Sequence, residues 1–524
     1  MSVHEHWLSR NRALAASGAF AAYATLLAIY TGGADQTWAI WAAAAYGVTT
    51  LLLLLTRRTR LPLIVPLLVS LGGALAAPLI WLVDKVQPTA EVTVISQAAK
   101  LLLQHGTPYL APGSLSNWDQ YNPYMPFMAV FGLPKALGAT GLLADPRIWM
   151  TLMSVALIAA AFWLAAPHLS CTSCSRNVAL STVFAASSPV IAFPLAVGIT
   201  DPPVIALLLV TLALAARPGR RAMWAGVTLG VASAMKATAW PAVPIVAAML
   251  ATRDGARAAW RFVGIAILLA GGLSVLMAPA AIVDPPAFLQ NTVLFPLGLT
   301  RHKTPAASPL PGHLLAETGS AGHWAAVGLL LVAGISFAVS LIVRPPAGTR
   351  AVALRIALGL AVMFTLAPAT RYGYFVYPIG LIGWLALTRQ APSSASSSAD
   401  GPGSDGTLLT TDVPTPEVAG VGAGAGAAMA GAAAGGAGRF ASFALNTPRL
   451  TRLTAARLRS HRRRASAPSH SGSVVAGLRA SGLLPPKLAA ARTKELRARA
   501  IIARIVAIRS RSVEVWRVDD VCPG

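Results

Sequence analysis

The carboxylates of this chain are few, and most of them stand at the edges of long apolar runs. The apolar run 61–83 is followed at once by Asp84, and Glu91 stands seven residues further on, in "WLVDKVQPTAEV". Because a charge beside hydrocarbon is costly, acids kept at such an edge indicate a functional site. A partly desolvated carboxylate that still reaches a wet cleft suits a general base that takes a proton from a hydroxyl group.

Simpler roles compete for both acids. Asp84 can pair with the adjacent Lys85 or cap the segment that follows. Glu91 begins the stretch 91–106, where apolar side chains recur at helical spacing, at Val92, Ile95, Ala99, Leu102 and Leu103. This pattern predicts a short helix along the outer membrane interface, and a helix dipole favours an acid in the first turn. Both acids therefore stay candidates for the base, with a slight preference for Asp84 from its position at a helix end.

Basic side chains in unexpected places form a second group of candidates. Lys236 interrupts an apolar region of 31 residues, which predicts two short helices that meet near the outer side, with Lys236 near the bend. Further cations stand in "LGLTRHKTPAASPLPGH" (297–313) and "APATRYGYFVYP", at Arg301, Lys303 and Arg371. Cations that converge suit a phosphate or pyrophosphate group. The competing explanation, snorkelling to lipid headgroups, fits Arg371 alone better than Lys236.

The composition identifies a polytopic membrane protein. Of 524 residues, 55% are hydrophobic and only 11% are charged, and several apolar runs approach the roughly 20 residues that cross a bilayer. The first run is longer than the apolar core of a typical signal peptide, so a retained first helix is expected. The net charge of +24 lies in short loops and in the C-terminal segment, which indicates cytoplasmic surfaces and membrane lipids as partners and no nucleic acid.

Loop charges predict the arrangement of the spans. Arginine-rich loops mark the cytoplasmic side, and the two long loops that begin near Asp84 and Asp284 are then placed outside. The proline-rich stretch 122–139 is predicted to be a half-span rather than a full crossing. We expect about 11 to 13 membrane helices in three parts: two extra N-terminal helices over 1–60, a membrane domain over 61–389, and a disordered basic cytoplasmic tail over 390–524.

No metal site or cofactor is predicted. Cys171 and Cys174 form a lone CxxC, and zinc needs two more ligands that no nearby cysteine or histidine pair offers. The candidate His302 has no metal-ligand spacing with His105 or His313.

Three segments in order resemble glycosyltransferase family 87, whose members use polyprenol-phosphate sugars and include actinobacterial mannosyltransferases. They are "EVTVISQAAKLLLQHGTPYL", "YNPYMPFMAVFGLP" and "GVTLGVASAMKATAWP", and the resemblance spans roughly residues 61–388. It implies an all-α, GT-C-like membrane fold with an extracytoplasmic catalytic centre. It also implies a polyprenyl-phosphate sugar donor and a lipid or glycan acceptor. A base in the first outer loop would deprotonate the acceptor, with inversion at the anomeric carbon.

The resemblance also bears on individual residues. Glu91 stands where members often have Asp before the amphipathic helix, and Asp84 is the other possible match. Lys236 matches the lysine of a K-x-T-P-like segment, although Trp240 separates Thr238 from the proline here. With the phosphate assigned to the four cations, the candidate substrate contacts are Asp119, Tyr121, Tyr124, Asp201 and His302. The tyrosines also fit an interfacial aromatic belt.

Two other functions fit the composition. A transporter or flippase of a lipid-linked or anionic solute would have many spans, but it often has internal repeats, and no clear repeat is found. A noncatalytic scaffold with a basic tail would leave the outer acids and Lys236 unexplained.

Overall fold

The computed structural model describes residues 8–58, 61–166, 172–279 and 284–388, without the side chains of 172–174 and 220. These residues form helices joined by turns and short loops, without a β-sheet, so the predicted all-α polytopic class is confirmed. The predicted disordered tail, the CxxC side chains and the domain boundary at 389 lie outside the described residues. The longer helices are α1 Arg10–Tyr30, α2 Gly33–Leu55, α3 Ile64–Lys85, α4 Ala90–His105, α5 Pro146–Ala165, α6 Thr172–Ser187, α7 Pro189–Val197, α8 Asp201–Ala215, α9 Arg220–Met235, α10 Ala242–Asp254, α11 Ala256–Met277, α12 Ser320–Val343, α13 Thr349–Leu366 and α14 Val376–Thr388.

Seven helices in the described part of the chain are long and apolar enough to cross a membrane: α1, α2, α3, α5, α11, α12 and α13. The pair α6 and α7, bent by 55°, adds an eighth candidate. Two shorter helices, α8 and the segment Tyr372–Thr388 that contains α14, are also apolar. The described residues thus contain seven or eight candidate spans, fewer than the 11 to 13 helices expected to cross or enter the membrane.

Helix α8 is the centre of the bundle. All fifteen of its residues are buried, so it has no polar face and reads as apolar on every side. Helix α12 is the opposite case, because it has the highest mean hydropathy of the seven candidate spans, 2.6, while only 11% of its apolar window is buried in the protein. Its apolar surface is therefore available to lipid.

Arginines tie together one end of the bundle. The Arg217 guanidinium donates to the carbonyls of Leu164 and Ala166, at 2.6 and 3.0 Å, where α5 ends. Arg253 donates to the carbonyl of Ala215, the last residue of α8, at 2.7 Å. Helix C-termini present carbonyls without internal partners, so guanidinium groups stabilise them there.

The opposite end is covered by α4 and the loop that follows it. Helix α4 buries one face, with Val92, Val94, Ile95, Ala98 and Ala99, and ends at Gly106, whose φ of 69° suits glycine. The predicted half-span is a 3₁₀ turn, Pro126–Gly132, followed by the single turn Leu133–Ala136, which is too short to cross. Gly132 allows close packing, because a Cβ there would lie 2.5 Å from the Ile95 carbonyl oxygen.

Candidate active site

A cluster of charged and hydroxyl side chains lies at the end of the bundle that α4 covers. It contains Glu91, Thr200, Asp201, Lys236 and Arg371, which come from four separate parts of the chain. Glu91 lies in the first turn of α4, Thr200 and Asp201 at the start of α8, Lys236 between α9 and α10, and Arg371 after α13. We call these five residues the charged cluster.

Glu91 is held by donors on both of its carboxylate oxygens. Its Oε2 accepts from the backbone N–H of Thr200 at 3.1 Å and from the Thr200 hydroxyl at 3.0 Å. Its Oε1 accepts from Nη1 of Arg371 at 3.3 Å. The side chain of Glu91 is 18% exposed and that of Arg371 is 39% exposed, so both can meet a ligand from solution.

Lys236 and Asp201 form the buried part of the cluster. Lys236 donates to Oδ1 of Asp201 in a close ion pair and to the Thr200 hydroxyl at 3.1 Å. The side chain of Asp201 is 1% exposed and that of Lys236 is 11% exposed. The structure contains the predicted bend at Lys236, since α9 ends at Met235 and a 3₁₀ turn, Ala237–Ala239, leads to α10.

Tyrosines surround the Lys236 ammonium. It lies 5.5 Å from the ring centroid of Tyr124 and 5.6 Å from that of Tyr374, within the range of cation–π attraction. The hydroxyl of Tyr377 accepts from the Thr238 hydroxyl at 2.8 Å, which links this wall to the turn after Lys236.

The two carboxylates and two cations balance one another in charge, which favours the protonated form of Lys236. Burial acts to lower the pKa of Lys236, but the carboxylates of Asp201 and Glu91 more than offset it and raise that pKa above its ordinary value. Burial, together with the Glu91 charge, raises the pKa of Tyr124 well above its usual range. At neutral pH the site therefore contains an ammonium group and an un-ionised phenol.

Asparagines fix the loop that carries Tyr124. Asn122 accepts from the backbone N–H of Tyr124 at 3.2 Å, and its own backbone N–H donates to Oδ1 of Asn291 at 2.8 Å. The Tyr109 hydroxyl donates to the Tyr124 carbonyl at 2.8 Å. The loop is thus held from both sides, and the Tyr124 ring is fixed against Lys236.

The structure separates the two candidate bases. Asp84 lies at the last turn of α3, pairs with Lys85 at 2.8 Å and has a side chain that is 62% exposed. In the described residues it makes no hydrogen bond or ion pair to the charged cluster. The preference for Asp84 from its helix-end position is not supported by this arrangement, because the chain turns away at Val86 and brings Glu91 into the site.

Of the remaining predicted substrate contacts, some lie in the site and others lie outside it. Tyr124 and Asp201 belong to the site, whereas Tyr121 is buried against Phe295, with ring centroids 4.3 Å apart, and has His302 at 6.1 Å. Asp119 is exposed.

Only two of the four predicted phosphate-binding residues lie in the charged cluster. Lys236 and Arg371 lie in the cluster, but Arg301 and Lys303 are exposed and make no ion pair within the described part of the chain. Lys303 instead lines a separate cavity of about 700 Å³ with Glu317 and His323.

A groove of about 740 Å³ runs along the polar face of α4. One wall is α4, from Val92 to Gln104, and includes Lys100; the other includes Lys135 and the pair Asp145 and Arg147. Arg147 is buried, and its Nε and Nη2 donate to the two oxygens of Asp145 at 2.9 and 2.8 Å. The groove therefore combines amides and hydroxyls with two exposed lysines.

Thr200 is the site residue that sequence reasoning missed. A threonine beside an acid at a predicted turn, in "GITDPP", gives only a weak signal. Tyr374 and Tyr377 were not among the candidate site residues, and the structure places Tyr374 at Lys236 and Tyr377 at Asp201. The described residues contain no group of three or more His, Cys, Asp or Glu side chains that could hold a metal ion.

Comparisons with known proteins gave one family match and one similar solved structure. The family model of glycosyltransferase family 87 matches residues 122–368, which include three of the five residues of the charged cluster, Thr200, Asp201 and Lys236. A search of curated proteins found no match. The crystal structure of ArnT from Cupriavidus metallidurans, in the apo state, is similar with 18% identity and a TM-score of 0.37. The match covers 60% of this chain and 57% of that one, so this chain spans less than two thirds of it.

The family match covers a little less than half of the chain. The matched segment begins at the loop that carries Tyr124 and ends three residues before Arg371. Within it, the predicted K-x-T-P-like segment supplies Lys236, and the helix that follows "GIT" supplies Asp201. Over residues 122–368, this chain is similar to glycosyltransferase family 87.

Proposed function

We propose that this protein transfers a sugar, mannose being our first candidate, from a polyprenyl-phosphate donor to a lipid or glycan acceptor. The observation that carries the proposal is the position of Glu91, a partly exposed carboxylate fixed beside a partly exposed arginine and a buried ion pair. Such a site offers a base and a phosphate-binding cation in contact with each other. The chemistry in this proposal needs no nucleotide.

Glu91 is the general base in this proposal. Its Oε1 takes the proton of the acceptor hydroxyl while the acceptor oxygen forms a bond to the anomeric carbon. The bond from that carbon to the phosphate oxygen breaks, and its electron pair stays on the phosphate. Attack from the face opposite to the phosphate inverts the anomeric centre, and Glu91 then releases its proton to water.

Arg371 binds the donor phosphate. It is the most exposed member of the cluster, and a guanidinium presents several N–H groups to phosphate oxygens. The leaving phosphate gains negative charge as the sugar departs, so a fixed cation beside it stabilises the transition state. Lys236 adds a second positive charge from the buried part of the cluster. It stays protonated because two carboxylates face it.

The groove along α4 is our candidate for the acceptor site. It starts at Val92, next to Glu91, and its wall residue Arg147 packs on Gly198, two residues before Thr200. Its amides and hydroxyls match sugar hydroxyl groups. A glycan lying there would place one end near the base.

We place the active site on the extracytoplasmic side. The end of the bundle at which Arg217 and Arg253 bind helix carbonyls contains the loops that the positive-inside rule assigns to the cytoplasm. The charged cluster is at the other end. The tail would then be cytoplasmic, because α14 starts beside the cluster and leads away from it.

Transfer from defined donors tests the proposal. Purified protein in detergent receives radiolabelled polyprenyl-phosphate mannose, glucose or arabinose together with cell-envelope acceptors. Glu91→Gln keeps the size of the side chain and removes the base, so we expect transfer to fall by about 10²- to 10⁴-fold. Asp84→Asn tests the alternative base, and we expect it to retain transfer within a few-fold.

A matched control neutralises an acid at the other end of the molecule. Asp254→Asn alters a surface pair with Arg253 and is expected to leave transfer unchanged. Full transfer by Glu91→Gln would overturn the assignment of Glu91 as the base. Loss of transfer in Asp84→Asn, with Glu91→Gln still active, would overturn it in favour of Asp84. Failure of the wild-type protein with every donor, together with solute flux in liposomes, would favour a transporter.

A further inference from the structure

Thr200 occupies the point at which the base and the buried ion pair meet. It precedes α8 directly, and its side chain is fully buried. The preceding turn ends α7 at Gly198, whose φ of 98° suits glycine. A residue placed so firmly is suited to hold a neighbouring group in one orientation.

The hydrogen bonds of the Thr200 hydroxyl have a fixed direction. A hydroxyl has one proton to donate, an ammonium group can only donate, and a carboxylate can only accept. Lys236 Nζ therefore donates to Thr200 Oγ1 at 3.1 Å, and Oγ1 donates to Oε2 of Glu91 at 3.0 Å. The chain of bonds from Lys236 through Thr200 to Glu91 has only this polarity.

This chain makes the two oxygens of Glu91 unequal. Oε2 receives two donors from Thr200, one from the backbone and one from the side chain, in the buried part of the site. Oε1 accepts a hydrogen bond from Arg371, whose side chain is more exposed than the groups that bind Oε2. The oxygen that meets an incoming hydroxyl is therefore Oε1.

We propose that Thr200 is a positioning residue for sugar transfer, which orients Glu91 so that Oε1 receives the proton of the acceptor. The inference rests on the proposed function of Glu91 as the base. Thr200 does not touch the substrate in this role; it acts through Glu91 and links that carboxylate to the Lys236 charge. The β-methyl group of Thr200 has no part in the effect.

Two substitutions separate the hydroxyl from the rest of the side chain. Thr200→Val keeps the shape and the backbone N–H but removes the hydroxyl, so we expect kcat to fall by about 10- to 100-fold. The donor KM should change little, because Arg371 is untouched. Thr200→Ser restores the hydroxyl and should return kcat to within about three-fold of the wild-type value.

Thr211→Val is the matched control. Thr211 is also buried on α8, and its hydroxyl bonds to the Leu207 carbonyl at 2.8 Å, away from the cluster. It should keep wild-type kcat. Equal loss in Thr211→Val, or equal loss in Thr200→Ser and Thr200→Val, would show a packing effect and overturn the inference.

A second measurement does not depend on transfer. Modification of Glu91 by a water-soluble carbodiimide, followed by mass spectrometry, should be faster in Thr200→Val because the carboxylate is released from one side. If Thr200→Val changed neither the rate of Glu91 modification nor kcat, the positioning role of Thr200 would be refuted, even with Glu91 as the base. Full transfer in Glu91→Gln would instead refute the proposed function, whatever the labelling of Thr200→Val shows.

Discussion

Replacing Lys236 by methionine should strongly destabilise the protein. The Asp201 carboxylate is 1% exposed, and Lys236 is its ion-pair partner in the described structure. Removing one partner of a buried pair leaves an uncompensated charge, which costs about 3–5 kcal/mol. For a chain of this size that corresponds to a fall of roughly 3 to 6 °C in the melting temperature.

Thermal unfolding in detergent, followed by fluorescence at one scan rate, measures this change. A fixed scan rate is needed because large membrane proteins usually unfold irreversibly. The matched control is Lys85→Met, which makes the same substitution in an exposed pair and should leave the melting temperature unchanged. A melting temperature for Lys236→Met within about 2 °C of the wild-type value would refute the reasoning.

The double variant Lys236→Met/Asp201→Leu gives a second test. It removes both charges and fills the site with apolar side chains, so it should recover most of the lost stability. Transfer would not return, because the bond from Lys236 to Thr200 is also gone. A double variant no more stable than Lys236→Met would mean that the buried Asp201 charge is not the cause.

Four further substitutions, used in three tests, probe the site and its surroundings. Arg371→Ala should raise the donor KM and lower kcat/KM by about 10- to 100-fold in the transfer assay, because the phosphate loses its exposed cation. Gly198→Ala should lower both the melting temperature and kcat. The new Cβ would lie 2.3 Å from Cγ2 of Val92, the residue after the base, and the positive φ of residue 198 disfavours alanine. The pair Lys100→Ala and Lys135→Ala should raise the acceptor KM several-fold while the donor KM stays constant, if the groove along α4 holds the acceptor.

Controls for these variants lie elsewhere in the bundle. Arg344→Ala removes an exposed cation at the end of α12 and should leave both KM values unchanged. Gly18→Ala adds a methyl group where no atom lies within 4 Å, and it should melt like the wild type. An unchanged donor KM in Arg371→Ala, a stable and active Gly198→Ala, or an unchanged acceptor KM in the lysine pair would each contradict its prediction.

Much of the architecture follows from local sequence patterns. The long apolar runs, the helical spacing over 91–106 and the interruption at Lys236 are all short-range features, and each gives the expected element. The identity of the groups that could do chemistry was also visible, since the first 389 residues contain only ten acids. Glu91, Asp201, Lys236 and Arg371 were all among the candidates.

The pairing of those groups depended on tertiary structure. Asp84 and Glu91 are seven residues apart, yet one is exposed beside Lys85 and the other lies inside the site, because the chain reverses between α3 and α4. Arg301 and Arg371 are both arginines in outer loops by sequence, but only Arg371 meets Glu91 across 280 residues.

The sequence by itself determined that this chain spans a membrane many times, where its interfacial helix starts and which few side chains could act as base or cation. Tertiary structure decided that α8 is the buried centre, that Thr200 joins Glu91 to Lys236, and that Arg301 and Lys303 lie apart. The physical reason is range. Apolar runs and helix caps are set by neighbours in the chain, whereas the energy of a buried charge depends on which distant partner the packed helices bring to it.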